Sequence, residues 1–282
     1  MKFKLVLISL LSLALLSFTG GSKHKTGWEK LNLKGKVKTY RELTYNVVVN
    51  GSDVFKGDSL KYEKDYTFDA NGNIIEQDEN TPGGEKYKTV SVFNSKGQCI
   101  KTVQEDNYTP TNKNTYSTEY KYDLNGNKIE EDEHMNSERG YTRTIYKYDS
   151  SASQALFYFI MGSDSNKQGK LRYDNKGNLI EEDMYDLQSG KLEMKTTNTY
   201  DTLIKSTEVV DYSSEGTVEK RQVRKCDMHG NVYECTDYYP DGKVMNKWEN
   251  KIEYDKLGNM VKQVVYKNNW PVEYTVFEIA FY

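Results

Sequence analysis

Eight stations along the chain carry an anchor residue, aromatic in all but one, usually followed by Asp-x-x-Gly-Asn, and their spacing limits what the chain can fold into. They read FDANGNII from Phe68, FNSKGQCI from Phe93, YDLNGNKI from Tyr122, YDNKGNLI from Tyr173, CDMHGNVY from Cys226 and YDKLGNMV from Tyr254. Tyr148-Asp149 and Tyr200-Asp201 keep the anchor and the acid without the glycine. Successive anchors lie 25, 29, 26, 25, 27, 26 and 28 residues apart. So even a period marks a repeat architecture. LNLKGKVKTY, from Leu31, reads as a degenerate opening copy.

Each unit has room for two strands of about nine residues and two turns. The acid can accept hydrogen bonds from loop N–H groups, and the glycine can take the left-handed conformation that closes the turn. The structural turn residues are therefore Asp69 and Gly72, Asp123 and Gly126, Asp174 and Gly177, Asp227 and Gly230, and Asp255 and Gly258. A four-residue loop would pair Tyr120 with Ile129, Tyr66 with Ile75, Leu171 with Ile180 and Ile252 with Val261, apolar opposite apolar. It would pair Ser91 with Ile100 and Arg224 with Tyr233, a poorer fit.

Alternation agrees with strands. Tyr116, Thr118, Tyr120 and Tyr122 share one face, as do Trp248, Asn250, Ile252 and Tyr254, and the residues between are mostly polar. Eight anchors imply about 16 to 18 strands, a sheet some 80 Å wide if laid flat. Twist accumulates in such sheets. The expected fold is all-β, a single domain of tandem antiparallel hairpins in one long coiled meander sheet with its tyrosine face inward. A closed barrel-like tube is the alternative.

The motif resembles the YD repeat of the Rhs/YD-repeat proteins, on Tyr122-Asp123-x-x-Gly126-Asn127 and its counterparts at Phe68, Tyr173 and Tyr254. The likeness is to the short exported members common in Bacteroidetes and runs from about Leu31 to Tyr282, with WPVEYTVFEIAFY as a terminal strand. It implies a β-shell fold and a cell-surface, sugar-binding or structural role. In large relatives the shell surrounds a cargo; about eight units imply no enclosed domain here.

The address is read separately. Lys2 and Lys4 precede the uncharged run Leu5–Gly21, the pattern of a secretory signal peptide. That run is short for a membrane span of about 20 residues, so no transmembrane span remains once it is removed, and residues 22–282 form the mature chain. Gly21 stands where a lipoprotein processing box would place its Cys, which leaves no thiol for a lipid. A net charge of −3 without a basic block argues against nucleic acid as a partner. Cys99, Cys226 and Cys235 match no zinc or redox spacing and read as small buried hydrophobes, with one disulfide as the alternative.

No catalytic, cofactor or metal site is expected. His24, His134 and His229 share no spacing with a Cys or acid that would form a metal cage, and nucleophile elbow, phosphate loop and HExxH are absent from the sequence. The acidic runs 76–79, 130–133 and 181–183 could supply a glycosidase pair or a calcium cage. Cross-strand pairing with Lys61, Lys121 and Arg172 explains them more simply. ALFYFIM, Ala155 to Met161, breaks the alternation. It suits a strand buried on both faces or a plug, and Leu156, Phe157, Tyr158, Phe159 and Ile160 are the candidate partner contact. These features point to a non-catalytic exported envelope module that binds a glycan or an envelope protein. The alternative is a sugar-acting hydrolase with an acidic pair in a cleft.

Overall fold

The computed structural model describes residues 25–282 except 82, 110–111, 136–140 and 162–163. The predicted signal peptide, Gly21 and His24 lie outside the described residues. A single helical turn comes first, α1 (Gly27–Lys30), fixed by a capping box in which Thr26 and Glu29 satisfy each other's backbone N–H. Eighteen strands follow among the described residues. The first six are β1 (Val37–Asn50), β2 (Asp53–Phe68), β3 (Ile74–Asn80), β4 (Lys86–Phe93), β5 (Cys99–Thr109) and β6 (Asn112–Tyr122). The middle six are β7 (Lys128–Met135), β8 (Tyr141–Tyr148), β9 (Gln154–Met161), β10 (Asp164–Tyr173), β11 (Leu179–Asp186) and β12 (Leu192–Asp201). The last six are β13 (Ser206–Ser213), β14 (Val218–Cys226), β15 (Val232–Tyr238), β16 (Val244–Tyr254), β17 (Met260–Lys267) and β18 (Trp270–Phe281).

Each strand pairs antiparallel with the next, and β1 also pairs with β18, from Thr39–Ala280 to Tyr45–Tyr274. The sheet is therefore closed. The coiled open meander is corrected to the barrel alternative, because ladder bonds between first and last strands remove both exposed edges at once. The width of the flat sheet becomes a circumference of about 86 Å, and barrels of this strand number enclose a water-accessible lumen. All eight anchor turns join an even strand to the following odd one, so they share one rim. The other nine connections form the far rim.

The turns are tighter than expected. The Asp69 N–H donates to the Asn73 carbonyl at 2.9 Å, and Asp123 does the same to Asn127, so the acid faces the Asn and the loop between them has three residues. Each glycine sits at positive φ, +87° at Gly72 and +92° at Gly126. One extra residue then bulges from the returning strand, so Tyr122 faces Lys128 and Tyr120 faces Glu131, with Ile129 unpaired. Ile75, Ile180 and Val261 bulge in the same way. The apolar-to-apolar pairings expected from a four-residue loop are thus overturned: the Asp side chain draws the Asn N–H into the turn, and the bulge absorbs the displaced residue. Where glycine is missing the turn survives on left-handed non-glycine residues, Ala152 at φ +54° and Lys205 at +49°. Residues 31–36 form no hairpin; they lead α1 into β1, with Gly35 at φ +84° as in the repeat glycines.

Trp28 and Leu33 pack with Val37, Tyr40, Tyr66, Phe68 and Phe277, and this face lines the lumen. Following paired residues around the barrel puts Tyr120, Tyr122, Tyr146, Tyr148, Phe157, Leu171 and Tyr173 on the same inner face. Ala155, Phe157, Leu171 and Tyr173 are the second buried cluster.

Candidate functional site

The anchor rim is stitched shut around β1. The Trp28 N–H donates to the Gly72 carbonyl at 3.2 Å, and its indole N–H donates to the Val37 carbonyl at 2.8 Å. A Cβ on Gly72 would lie 2.4 Å from the Trp28 ring, so only glycine lets the indole sit there. Asn32 donates to the Gly230 carbonyl and to Asn231 Oδ1, both at 3.2 Å. The Lys34 N–H donates to Asn259 Oδ1 at 2.6 Å, and Asn259 returns a bond to the Lys34 carbonyl at 3.3 Å. One ten-residue segment thereby joins the β2–β3, β14–β15 and β16–β17 turns, which lie up to 225 residues away in sequence.

The predicted turn residues occupy this rim and are structural. Asp123 Oδ1 accepts from the N–H groups of Asn125 and Asn127, at 2.9 and 2.8 Å, and Oδ2 accepts from the Asn127 side-chain amide at 2.8 Å. Asp69, Asp174 and Asp255 repeat the clasp on Asn73, Asn178 and Asn259. These hydrogen bonds hold the Asp123, Asp174 and Asp255 carboxyls below the usual range despite partial desolvation. Asp227 differs, for Tyr254 takes its second oxygen and the Asn231 amide donates to the Tyr254 hydroxyl. The clasping Asn residues went unassigned in the sequence, although every one stands in the quoted motif. Anchor tyrosines also tie units together: Tyr122 donates to the Cys99 carbonyl at 2.7 Å and Tyr200 to the Leu179 carbonyl at 2.8 Å.

Inside and outside differ in chemistry. The outer wall is a belt of ion pairs. Lys88 meets Glu76 at 2.7 Å, Lys121 meets Glu130 at 2.6 Å, and Arg143 meets Asp132 at 2.6 Å. Arg172 and Lys195 share Glu181 at 2.7 and 2.6 Å, and Lys225 and Lys247 share Glu234. Two acids of each run are thus spent on the outer face, as cross-strand pairing predicted for Lys121 and Arg172. Lys61 instead reaches Glu273, and Lys64 pairs with Glu79 at 3.2 Å on the inner face.

The remaining acids, Glu79, Glu131, Glu133 and Glu182, face the lumen. Burial among protein atoms, with Glu79 nearby, pushes the Glu42 carboxyl up to about 7 against the pull of Lys64. Glu182 is likewise raised by burial, with Asp211 adding to it. Lys128 closes on Glu131 between the Tyr120 and Tyr146 rings, 5.5 and 5.1 Å from their centres. Lys30 has an accessible side chain, yet surrounding protein lowers its pKa, which is what a wall around a hollow produces. The hydroxyls of Tyr40, Tyr148 and Tyr173 are buried without a protein partner. Toward the far rim the lumen face carries Tyr62, Tyr87, Tyr116 and Trp248 among Gln104, Asn246 and Asn250. Lys267 lies 4.7 Å over the Trp248 ring. A shallow cleft of about 320 Å³ between Tyr233, Glu249, Lys251 and Tyr266 is open and mixed in polarity.

The remaining candidates are placed plainly. Cys99, Cys226 and Cys235 are free and half-buried, and burial raises each thiol. His134 stacks near Tyr141 and His229 near Tyr254. ALFYFIM is strand β9, not a plug, and it is buried on one face only: Ala155, Phe157 and Phe159 face inward, while Leu156, Tyr158 and Ile160 face out, with Lys147 over the Tyr158 ring. Among the described residues no group of three or more His, Cys, Asp or Glu could hold a metal ion.

No protein-family model matches this chain, and no curated protein matches its sequence. Similar solved structures include a porin-like protein from Bacteroides uniformis, at 10% identity over 92% of this chain and 100% of that one, with a TM-score of 0.47. A porin-like protein from Bacteroides vulgatus follows at 9% identity over 87% and 98%, TM-score 0.31. The Tc holotoxin pore of Photorhabdus luminescens shares 12% identity over 76% of this chain and 13% of that one, TM-score 0.23. Similarity at this level leaves the present chain to be read from its own residues.

Proposed function

We propose that this chain is a non-catalytic module exported to the cell envelope, standing in water, that binds a glycan in the far half of its lumen. The observation that carries this reading is the inner wall beyond the stitched rim. Aromatic faces at Tyr62, Tyr116 and Trp248 stand beside amide side chains, the pairing that suits the apolar face and hydroxyl edge of a sugar ring. The belted outer wall supports the aqueous setting, since each Arg or Lys facing lipid at the bilayer midplane would cost about 2–4 kcal/mol. A glycan array followed by calorimetry on the hit tests it. Trp248→Ala and Tyr62→Ala should each weaken binding at least about tenfold with the fold intact. Absence of any hit, or full affinity in both variants, would reject the reading.

One observation favours a second reading, a sugar-acting hydrolase. Glu42 is held near neutrality, as a general acid requires, with the Glu79 carboxylate nearby. Release of reducing sugar that Glu42→Gln abolishes while glycan binding persists would select it over the module.

A further inference from the structure

β1 and β2 outrun their neighbours at the far rim. The last β1 residue paired with β18 is Tyr45, and the first β2 residue paired with β3 is Glu63. Beyond these points the two strands pair only with each other, as a ribbon closed at Gly51–Ser52. The outer edge of β2, from Asp53 to Tyr62, therefore presents a row of backbone groups outside any ladder, the longest such stretch among the described strands. Such a row is a template for another strand.

The ribbon also departs from the rest of the wall in composition. Its apolar side chains are exposed, Val48 by 52%, Phe55 by 49% and Leu60 by 43%. The carboxylates of Asp53 and Asp58 make neither a hydrogen bond nor an ion pair, whereas the acids of the belt are matched to Lys or Arg. Lys56 meets only the Tyr45 ring, 4.3 Å away. The order of charges is self-complementary about one residue. Reading DVFKGDSLK outward from Gly57, Lys56 is mirrored by Asp58, Val54 by Leu60 and Asp53 by Lys61.

We infer that this edge pairs antiparallel with the same edge of a second copy, on a two-fold axis at Gly57. Directly opposed residues share a face in an antiparallel pair. The axis sets Lys56 against Asp58 twice, Asp53 against Lys61 twice, and Val54 against Leu60 twice. An unrelated peptide seated on the edge would not require this symmetry. Gly57 to Ser59 bulge opposite Asn46, and a Cβ on Gly57 would stand 2.8 Å from the Asn46 carbonyl oxygen. The bulge shortens the regular ladder, so the contact is small and the dimer is a dissociable one in the micromolar range.

The test is sedimentation of the mature chain from low to high micromolar concentration. The unmodified chain should dimerise. Lys56→Asp alone and Asp58→Lys alone should each associate at least about tenfold more weakly, because like charges then face each other across the axis. An equimolar mixture of the two single variants should dimerise again, since each supplies the charge the other lacks. Both positions are exposed, and circular dichroism confirms that the variants keep the barrel. A chain monomeric at every concentration, single variants that dimerise as the parent does, or a mixture that stays monomeric would each overturn the assignment.

Discussion

The two rims of this barrel are built on opposite plans. At the anchor rim five of the eight turns, at Asp69, Asn94, Asp123, Asp174 and Asp255, carry the same side-chain contacts, and a ten-residue segment from the N-terminal side locks three anchor turns together. At the far rim the nine connections differ in length and sequence, and the β1–β2 hairpin projects beyond the wall. Uniformity marks the end that must close the cylinder, because every unit there solves the same backbone problem. Variation marks the end that is free to meet something else, as connections between rigid elements usually are.

The contrast can be broken most severely at Trp28. Its indole fills the space over Gly72 and contacts Phe68, so Trp28→Ala should cost about 3–5 kcal/mol in urea denaturation. A loss below about 1 kcal/mol would mean that the β1–β18 ladder closes the barrel unaided. Next in size is Glu42, whose raised carboxyl makes folding take up a proton. Its contribution is complete below the ordinary value near 4.5 and is lost as pH rises through about 7. Glu42→Gln should therefore match the parent near pH 4 and be more stable by up to about 3 kcal/mol at pH 8, read from melts across that window.

A sharper comparison lies within the anchor rim itself. Asn259 is 1% exposed and serves both its own Asp255 and the backbone of Lys34, whereas Asn178 serves only Asp174. Asn259→Ala should cost about 2–3 kcal/mol, and Asn178→Ala about 1 kcal/mol. Equal losses would show that the stitch adds nothing to the turn. The smallest effect belongs to the far rim. Two glycines inserted after Gln188, in an exposed connection, should change stability by about 0.5 kcal/mol or less, while the same insertion after Lys176 should unfold at least that hairpin, measured by loss of the cooperative melt.

Much of the fold was legible before any coordinate. Tyr122-Asp123 and Gly126-Asn127 state their own turn, because a short acid and a glycine at positive φ need only local partners. The ion pairs Lys121–Glu130 and Arg172–Glu181 were equally readable, being cross-strand neighbours in one hairpin. Register was not. It depends on whether Asn127 or Lys128 first enters the ladder, a choice of one hydrogen bond that apolar pairing alone misjudged. Glu42 as a lumen carboxyl and the free edge at Asp53–Tyr62 were also invisible, since both depend on which strands end where.

The sequence by itself determined the repeat, the positions of the eight anchor turns, the strand count and the separation of a charged face from an aromatic one. Each of these rests on contacts within about 30 residues, which periodicity and turn chemistry express directly. Only the tertiary structure decided that β1 meets β18, that residues 27–36 stitch one rim, and that the tyrosine face encloses a hollow. Those contacts join residues some 200 positions apart, and curvature summed over eighteen strands, which no single hairpin encodes, brings them within reach.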